Sequence, residues 1–333
     1  MEATSNMPIQ RTRKEGKFIS IPLLKQTIKA NWLLWLLLTV GSCTIFFVIN
    51  VVVTSRNIFH NVDMNNVSVY VSAEGLSWLQ ILGMLEQMGF NLARIEIMSR
   101  IDLNSILSDL VYKIVGVLLP MIYAVITANS LIVNQVTSGS MAYVLSTPTS
   151  RRKVIFTSFA FLFLSLLAMY LSITGTALLS ETIAGAMRIA AGGTSNMNAL
   201  RTVLLCFSSF SALFAISGIC FGASAFFNKS NNAVAIGGGA CVICFLCCIM
   251  GLFGNKVFVS VGIGVEAMNI FNYMTLFTFI DTEAVKEFAH AAYGEPDSFF
   301  NFSWIWECGI LWTVGIVFTL LGSARFLKKD LPL

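Results

Sequence analysis

Hydrophobic residues fall into six long runs along the chain, and these runs carry almost no charge. A helix needs about 20 mostly apolar residues to cross a hydrocarbon core of roughly 30 Å, and each run is long enough. The runs are continuous, whereas the strands of a membrane barrel alternate polar and apolar residues over about ten positions. The pattern therefore predicts an all-α integral membrane protein with six transmembrane helices. The predicted spans are residues 32–53, 110–133, 154–179, 203–227, 233–253 and 302–321.

The residues before the first span predict a second kind of element. Ser20 is a plausible helix cap and Pro22 suits a first helical turn. Leu24 and Ile28 would share one face of this helix, and Lys25 and Lys29 another. We therefore expect residues 1–31 to form a cytoplasmic tail and an interfacial amphipathic helix, and residues 32–333 a six-span domain. An ordinary solvated tail remains the alternative for the residues before 19.

Three connecting segments are long enough to hold structure of their own. They are an outer segment at 54–109, an inner loop at 134–153 and a second outer segment at 255–301. The last of these begins with an apolar stretch, 257–265, which is too short and too rich in glycine for a full crossing. A re-entrant or interfacial piece and a simple outer cap are both compatible with this stretch.

Basic residues set the expected orientation, because cytoplasmic loops retain an excess of Lys and Arg. With the amino end inside, the inner segments hold 13 of the 21 basic residues and 3 of the 17 acidic ones. The outer segments and the spans hold the other 8 basic and 14 acidic residues. Both termini are therefore expected in the cytoplasm.

Composition narrows the class of protein further. Hydrophobic residues make up 56% of the chain and charged residues 11%, against about 25% charged in an ordinary soluble domain. A water-soluble globule and a disordered chain are both excluded. The net charge of +4 is small and concentrated on one side of the membrane, so nucleic acid is not an expected partner.

The motifs of several enzyme classes are missing from the sequence. It has no phosphate-binding loop and no His-Glu-x-x-His zinc pair. Cys241, Cys244 and Cys248 share a helix face, but generating thiolates in hydrocarbon without a nearby base disfavours a metal site. We therefore expect no catalytic residue, no resident cofactor and no metal on this chain.

The inner loop at 134–153 contains a short predicted helix. Ser140–Ser146 suffices for about two turns, with Met141, Val144 and Leu145 on one side, and Pro148 prevents its continuation. A short inner helix that is apolar on one side and has a rigid end is typical of a docking element for another protein. The alternative is an ordinary turn whose basic residues only fix the topology.

The same loop resembles a known family. Residues 139–141 (Gly-Ser-Met) followed by 145–151 (Leu-Ser-Thr-Pro-Thr-Ser-Arg) are similar to the signature of type-2 ATP-binding-cassette (ABC) exporter permeases. That signature is roughly Glu, three residues, Gly-Thr-Leu, then Leu-Leu-Ser-x-Pro-Ile-Ser-Arg, and Gln135 stands where the family often has Glu. Residues 272–277 and 325–333 also resemble the family's motifs before and after its last span.

The resemblance implies a mechanism and a set of partners. Such permeases work as homo- or heterodimers in the lipid of the plasma membrane, each bound to a cytoplasmic ATPase subunit that holds ATP and Mg. The short helix between spans two and three sits in a cleft of the ATPase and is rocked when the ATPase dimer closes. The resemblance assigns this coupling role to Gly139, Ser140, Met141, Leu145, Pro148 and Arg151.

Two other functions remain open from the residues alone. One is an ATP-independent carrier or channel, and the other is a non-transporting sensor or immunity component. The spans are lined by Phe, Met, Ser and Thr, which permits amphipathic drugs, peptides or lipids as substrates without selecting one of them.

Overall fold

The structure, a computed structural model, describes residues 20–55, 110–146, 149–190, 198–254, 259, 264–294 and 300–329. Residues 1–19, nearly all of the outer segment at 54–109, and most of the apolar stretch at 257–265 lie outside this range. The described residues form α-helices joined by short turns, with two 3₁₀ segments, Glu266–Met274 and Leu276–Phe279. The α-helices are α1 (Ile21–Ser55), α2 (Gly116–Leu131), α3 (Val133–Thr137), α4 (Ser140–Ser146), α5 (Arg151–Ala190), α6 (Ala199–Phe226), α7 (Ser230–Leu252), α8 (Thr282–Ala292) and α9 (Ser303–Lys328).

Six helical segments in the described part are long and apolar enough to cross a membrane, and this part contains no strand. The prediction of an all-α, six-span protein is confirmed. The second span is a composite, because a π-helical turn at Leu110–Val115 leads into α2, and α3 continues it after a kink at Ile132. The others are α1, α5, α6, α7 and α9.

The start of α1 differs from the predicted arrangement. A single helix runs from Ile21 to Ser55, so the amphipathic stretch is continuous with the first span and not a separate helix. No Gly or Pro occurs between Leu23 and Val40, and the residues there are good helix formers with no local cause for a break. The amphipathic pattern of residues 20–29 therefore belongs to the amino-terminal end of the first span.

The third span is also longer than predicted. Helix α5 has 40 residues, which at 1.5 Å per residue is about 60 Å, twice the thickness of the hydrocarbon core. The sequence prediction of 154–179 covers only its most apolar part. The residues that follow, Ser180–Ala190 in α5, include charged and polar side chains but no proline that would end the helix.

Helix α6 lies at the centre of the bundle and packs closely against α9. A Cβ atom added to Gly218 would lie 2.4 Å from the carbonyl oxygen of Gly315, and one added to Gly222 would lie 2.6 Å from that of Phe318. Only glycine lets the two backbones approach so closely. Beside this contact the rings of Phe214 and Trp312 lie 4.5 Å apart.

The second outer segment folds back along α7. The Val265 amide donates to the Phe253 carbonyl over 3.2 Å, and further along the chain the Thr275 hydroxyl donates to the Cys244 carbonyl over 2.8 Å. Cys244 lies eight residues before the end of α7, so the segment runs beside that helix for about 12 Å. Re-entry of this segment into the membrane stays a prediction.

Candidate functional site

The short helix α4 lies where the sequence predicts it, and a glycine makes its start possible. Gly139 has φ +72°, a left-handed conformation that disfavours other residues. Its amide donates to the Val136 carbonyl and closes α3, while its own carbonyl accepts the Ala142 amide and opens α4. The chain therefore turns sharply between two short helices at this residue.

Serine hydroxyls hold this turn. The Ser140 hydroxyl donates to the Gln135 carbonyl over 3.2 Å and lies 3.0 Å from the Ser138 hydroxyl. The contact at Gln135 uses the backbone and not the side chain. A side-chain carboxylate at this position is therefore not needed to form this hydrogen bond.

The apolar side of α4 faces the protein itself. Met141 is only 2% exposed and belongs to the core, and Val144, one turn later, packs against that core. Tyr143 is 80% exposed, because two positions along an α-helix turn the side chain by about 200°. The apolar pattern assigns Met141 to the predicted docking side of α4, yet this side chain is buried in the protein, and the pattern gives no indication that Tyr143 is exposed. An apolar pattern does not say whether its face covers the protein or meets a partner.

The other end of α4 is tied to the following span. The Thr149 hydroxyl donates to the Val144 carbonyl over 2.7 Å, and the Ser146 hydroxyl donates to the Tyr143 carbonyl over 2.8 Å. The backbone of Leu145 lies within α4, while its side chain, like all of Pro148, lies outside the described part. Both ends of α4 therefore carry side-chain hydrogen bonds that restrain its orientation.

Arg151 connects this end of α4 to the far end of the chain. Its Nη1 donates to the Lys329 carbonyl over 2.9 Å, across 178 residues of sequence. The Lys329 ammonium in turn donates to the Phe226 carbonyl over 3.1 Å, and the Arg325 guanidinium lies 5.4 Å from the centre of the Phe226 ring. We call these four residues the Arg151–Lys329 clamp, and it joins the ends of α5, α6 and α9.

Partial burial changes the acidity of one member of the clamp. Burial and, to a lesser extent, the neighbouring Arg325 charge lower the pKa of Lys329 to about 8. Burial therefore disfavours the charged form of Lys329 in the folded protein, and the hydrogen bond to the Phe226 carbonyl offsets part of this unfavourable free energy.

A second set of hydrogen bonds fixes α3 to the start of α7. The Ser230 hydroxyl donates to the Asn134 side-chain oxygen over 2.7 Å, and the Asn129 side-chain amide donates to Ser230 over 2.9 Å. Deeper in the bundle the Ser224 hydroxyl donates to the Ala128 carbonyl over 2.8 Å. The segment that carries α4 is therefore attached to the ends of α5, α6, α7 and α9.

Among the predicted site residues, Gly139, Ser140 and Met141 lie at the start of α4, whereas Arg151 lies at the start of α5 and contacts Lys329. In the described residues no group of three or more His, Cys, Asp or Glu side chains is arranged to hold a metal ion. Cys220 and Cys241 approach with their sulfurs 3.4 Å apart between α6 and α7. The site therefore consists of a short helix, α4, that is held to the bundle by hydrogen bonds and exposes one aromatic side chain, Tyr143.

Comparison with known proteins gives a family match. A family model described as "ABC-2 family transporter protein" matches residues 24–331 of the 333-residue chain. Neither a curated protein nor a solved structure matches. The matched range contains the whole of the site described above and all six spans except residues 21–23 of the first.

Proposed function

The chain belongs to the ABC-2 transporter family, which makes it a membrane-spanning permease subunit of an ABC transporter, and we propose that it couples ATP hydrolysis by a separate cytoplasmic ATPase to export. Permeases of this family typically work with an ATP-binding-cassette subunit. ATP and Mg²⁺ bind on that subunit in this proposal, and the permease chain contributes no catalytic group.

The observation that carries the proposal is the short helix α4, which has one exposed side and is packed against the bundle on the other side. Its outer side presents Tyr143, and aromatic side chains are frequent anchors in the pockets of protein interfaces. Its inner side is fixed by Met141 in the core. A force applied at Tyr143 therefore acts on the bundle and is not absorbed by a loose loop.

The distribution of basic residues supports a cytoplasmic location for α4. Lys25, Lys229 and Lys328 lie at the same end of the bundle as α4, together with the Arg151–Lys329 clamp. Loops with an excess of Lys and Arg remain in the cytoplasm. We therefore place α4 and both termini in the cytoplasm, with the protein in the plasma membrane, where the ATPase has access to them.

A second permease chain completes the proposed transporter. Large apolar side chains of α1 and α7 are exposed on the surface of this chain, among them Leu33, Leu37, Val242 and Leu246. Faces of this kind meet lipid or another membrane helix. In the proposed dimer, ATP-driven closure of two ATPase subunits moves two α4 helices and shifts the pair of permeases between inward-open and outward-open states.

The experiment compares two exposed tyrosines, one in α4 and one in the second outer segment. Tyr143→Asp places a charge at the proposed contact with the ATPase, whereas Tyr273→Asp makes the same change in the second outer segment, where Tyr273 is 83% exposed. The permease is co-expressed with its ATPase and purified through a tag on the permease. We expect Tyr143→Asp to remove the ATPase from the purified complex and Tyr273→Asp to retain it.

Three results would contradict the proposal. Retention of the ATPase by Tyr143→Asp would show that α4 is not the docking element. ATP-independent transport by the permease alone in proteoliposomes would favour a carrier, and an ATPase bound without any transport would favour a sensor.

A further inference from the structure

A groove opens on the membrane-facing surface between α1 and α5. It encloses a cavity of about 230 Å³, and its sides are Leu24, Ile28 and Trp32 from α1 with Phe161 and Leu164 from α5. Nearly all of the lining surface is apolar. The groove is thus a hydrocarbon-lined slot on the outside of the bundle.

The polar side chains in its wall donate hydrogen bonds to backbone carbonyls. The Asn31 side-chain amide donates to the Thr27 carbonyl over 3.1 Å, and the Ser165 hydroxyl donates to the Leu162 carbonyl over 2.9 Å. The Trp35 indole closes the deep end by donating to the Ser165 carbonyl over 2.9 Å. Since each of these side chains already donates a hydrogen bond and nearly all of the lining is apolar, the slot favours a hydrocarbon chain over a polar ligand.

The length of the groove corresponds to one leaflet of a bilayer. From Leu24 to Trp35 α1 rises by about 16 Å at 1.5 Å per residue, close to half of the roughly 30 Å hydrocarbon core. The shallow end lies near the start of α1, where the Ser20 amide donates to the Thr157 hydroxyl over 3.1 Å. The slot therefore runs from the headgroup level at the α4 end of the bundle to about the middle of the membrane.

Two lysines flank the shallow end. Lys25 and Lys29 are exposed, and helical spacing places them in one line with Trp32, which is 53% exposed and forms the edge of the groove. Long lysine side chains at this depth reach back to the headgroup level. Positive charge thus lies at the one end of the slot where a lipid phosphate would be.

We propose that this groove binds an anionic phospholipid, with one acyl chain in the slot and the headgroup held by Lys25 and Lys29. The inference goes beyond the transport function, because it needs neither an ATPase nor a substrate. A zwitterionic lipid fills the same slot less well, since its headgroup carries no net charge for the two lysines. The expected preference for an anionic headgroup is on the order of tenfold.

Quenching by brominated lipids tests this site. The full chain is placed in bilayer nanodiscs of zwitterionic phosphatidylcholine with a minor fraction of phosphatidylglycerol, and the bromine is carried on the acyl chains of either one lipid or the other. The chain has six tryptophans, so the signal of Trp32 is obtained by subtracting the Trp32→Phe variant. We expect brominated phosphatidylglycerol to quench Trp32 far more than its mole fraction predicts.

Matched variants distinguish a specific lipid site from a general attraction of anionic lipid to surface charge. The double variant Lys25→Gln, Lys29→Gln should lose the preference, and Lys25→Arg, Lys29→Arg should keep it. Lys229→Gln, Lys328→Gln removes the same charge from other exposed positions at the same end of the bundle and should leave the preference unchanged. The proposal would be overturned if quenching followed the mole fraction of phosphatidylglycerol, or if both Gln pairs lost the preference equally. Neither result bears on ATPase binding.

Discussion

Helices α1 and α6 are both apolar enough to span a membrane, yet they lie in opposite surroundings. Within the most apolar 18-residue window of each helix, 78% of the residues of α6 are buried in the protein, but only 22% of those of α1. The α6 window is rich in small residues such as Ser209, Ala212 and Gly218, whereas α1 carries Leu33 and Leu37 on its surface. Hydropathy therefore identifies both helices as spans, and in this pair the small side chains of α6 allow the close packing that α1 lacks.

The largest expected effect tests the close contact at the centre. Gly218→Leu would force side-chain atoms into the backbone of Gly315, so the α6–α9 pair must separate at a cost above about 3 kcal/mol. We expect no monodisperse protein in detergent by fluorescence-detected size-exclusion chromatography.

The matched control for this substitution lies in α7. A Cβ atom at Gly239 meets nothing within 4 Å, and leucine is a better helix former than glycine. Gly239→Leu should therefore leave the elution profile unchanged. Equal behaviour of the two variants would contradict the contrast between central and peripheral helices.

A smaller effect separates the two sides of α4. Met141→Ala removes a side chain that is 2% exposed and should lower the free energy of unfolding by about 2 kcal/mol. Tyr143→Ala removes one that is 80% exposed and should leave the melting temperature within error. Thermal unfolding in detergent measures both, and a larger loss for Tyr143→Ala would mean that the buried and exposed sides of α4 are assigned wrongly.

The smallest effect concerns the Arg151–Lys329 clamp. Arg151→Gln removes the charged donor to the Lys329 carbonyl and should cost about 1 kcal/mol, because this contact is only partly buried. Arg152→Gln removes the same charge from an exposed neighbour and should cost less. The difference in melting temperature between the two variants measures the clamp, and identical values would show that it contributes nothing.

Sequence reasoning predicts the features that depend on local pattern. The six spans follow from uninterrupted apolar runs, and α4 follows from residues 139–148. The contacts of Arg151 with Lys329 and of Gly218 with Gly315 join positions about 100 residues or more apart, and no local pattern encodes them. The burial of Met141 cannot be predicted for a related reason, since an amphipathic helix shows which side is apolar but not what covers that side.

The length of α5 has a geometric consequence for transmission across the membrane. The helix starts at Arg151 beside α4 and continues to Ala190 without interruption, so it extends for about 60 Å. A tilt of about 5° at the clamped end would displace the far tip sideways by about 5 Å. In the proposed transporter, a small rotation of α5 at its α4 end would therefore become a larger displacement at its other end.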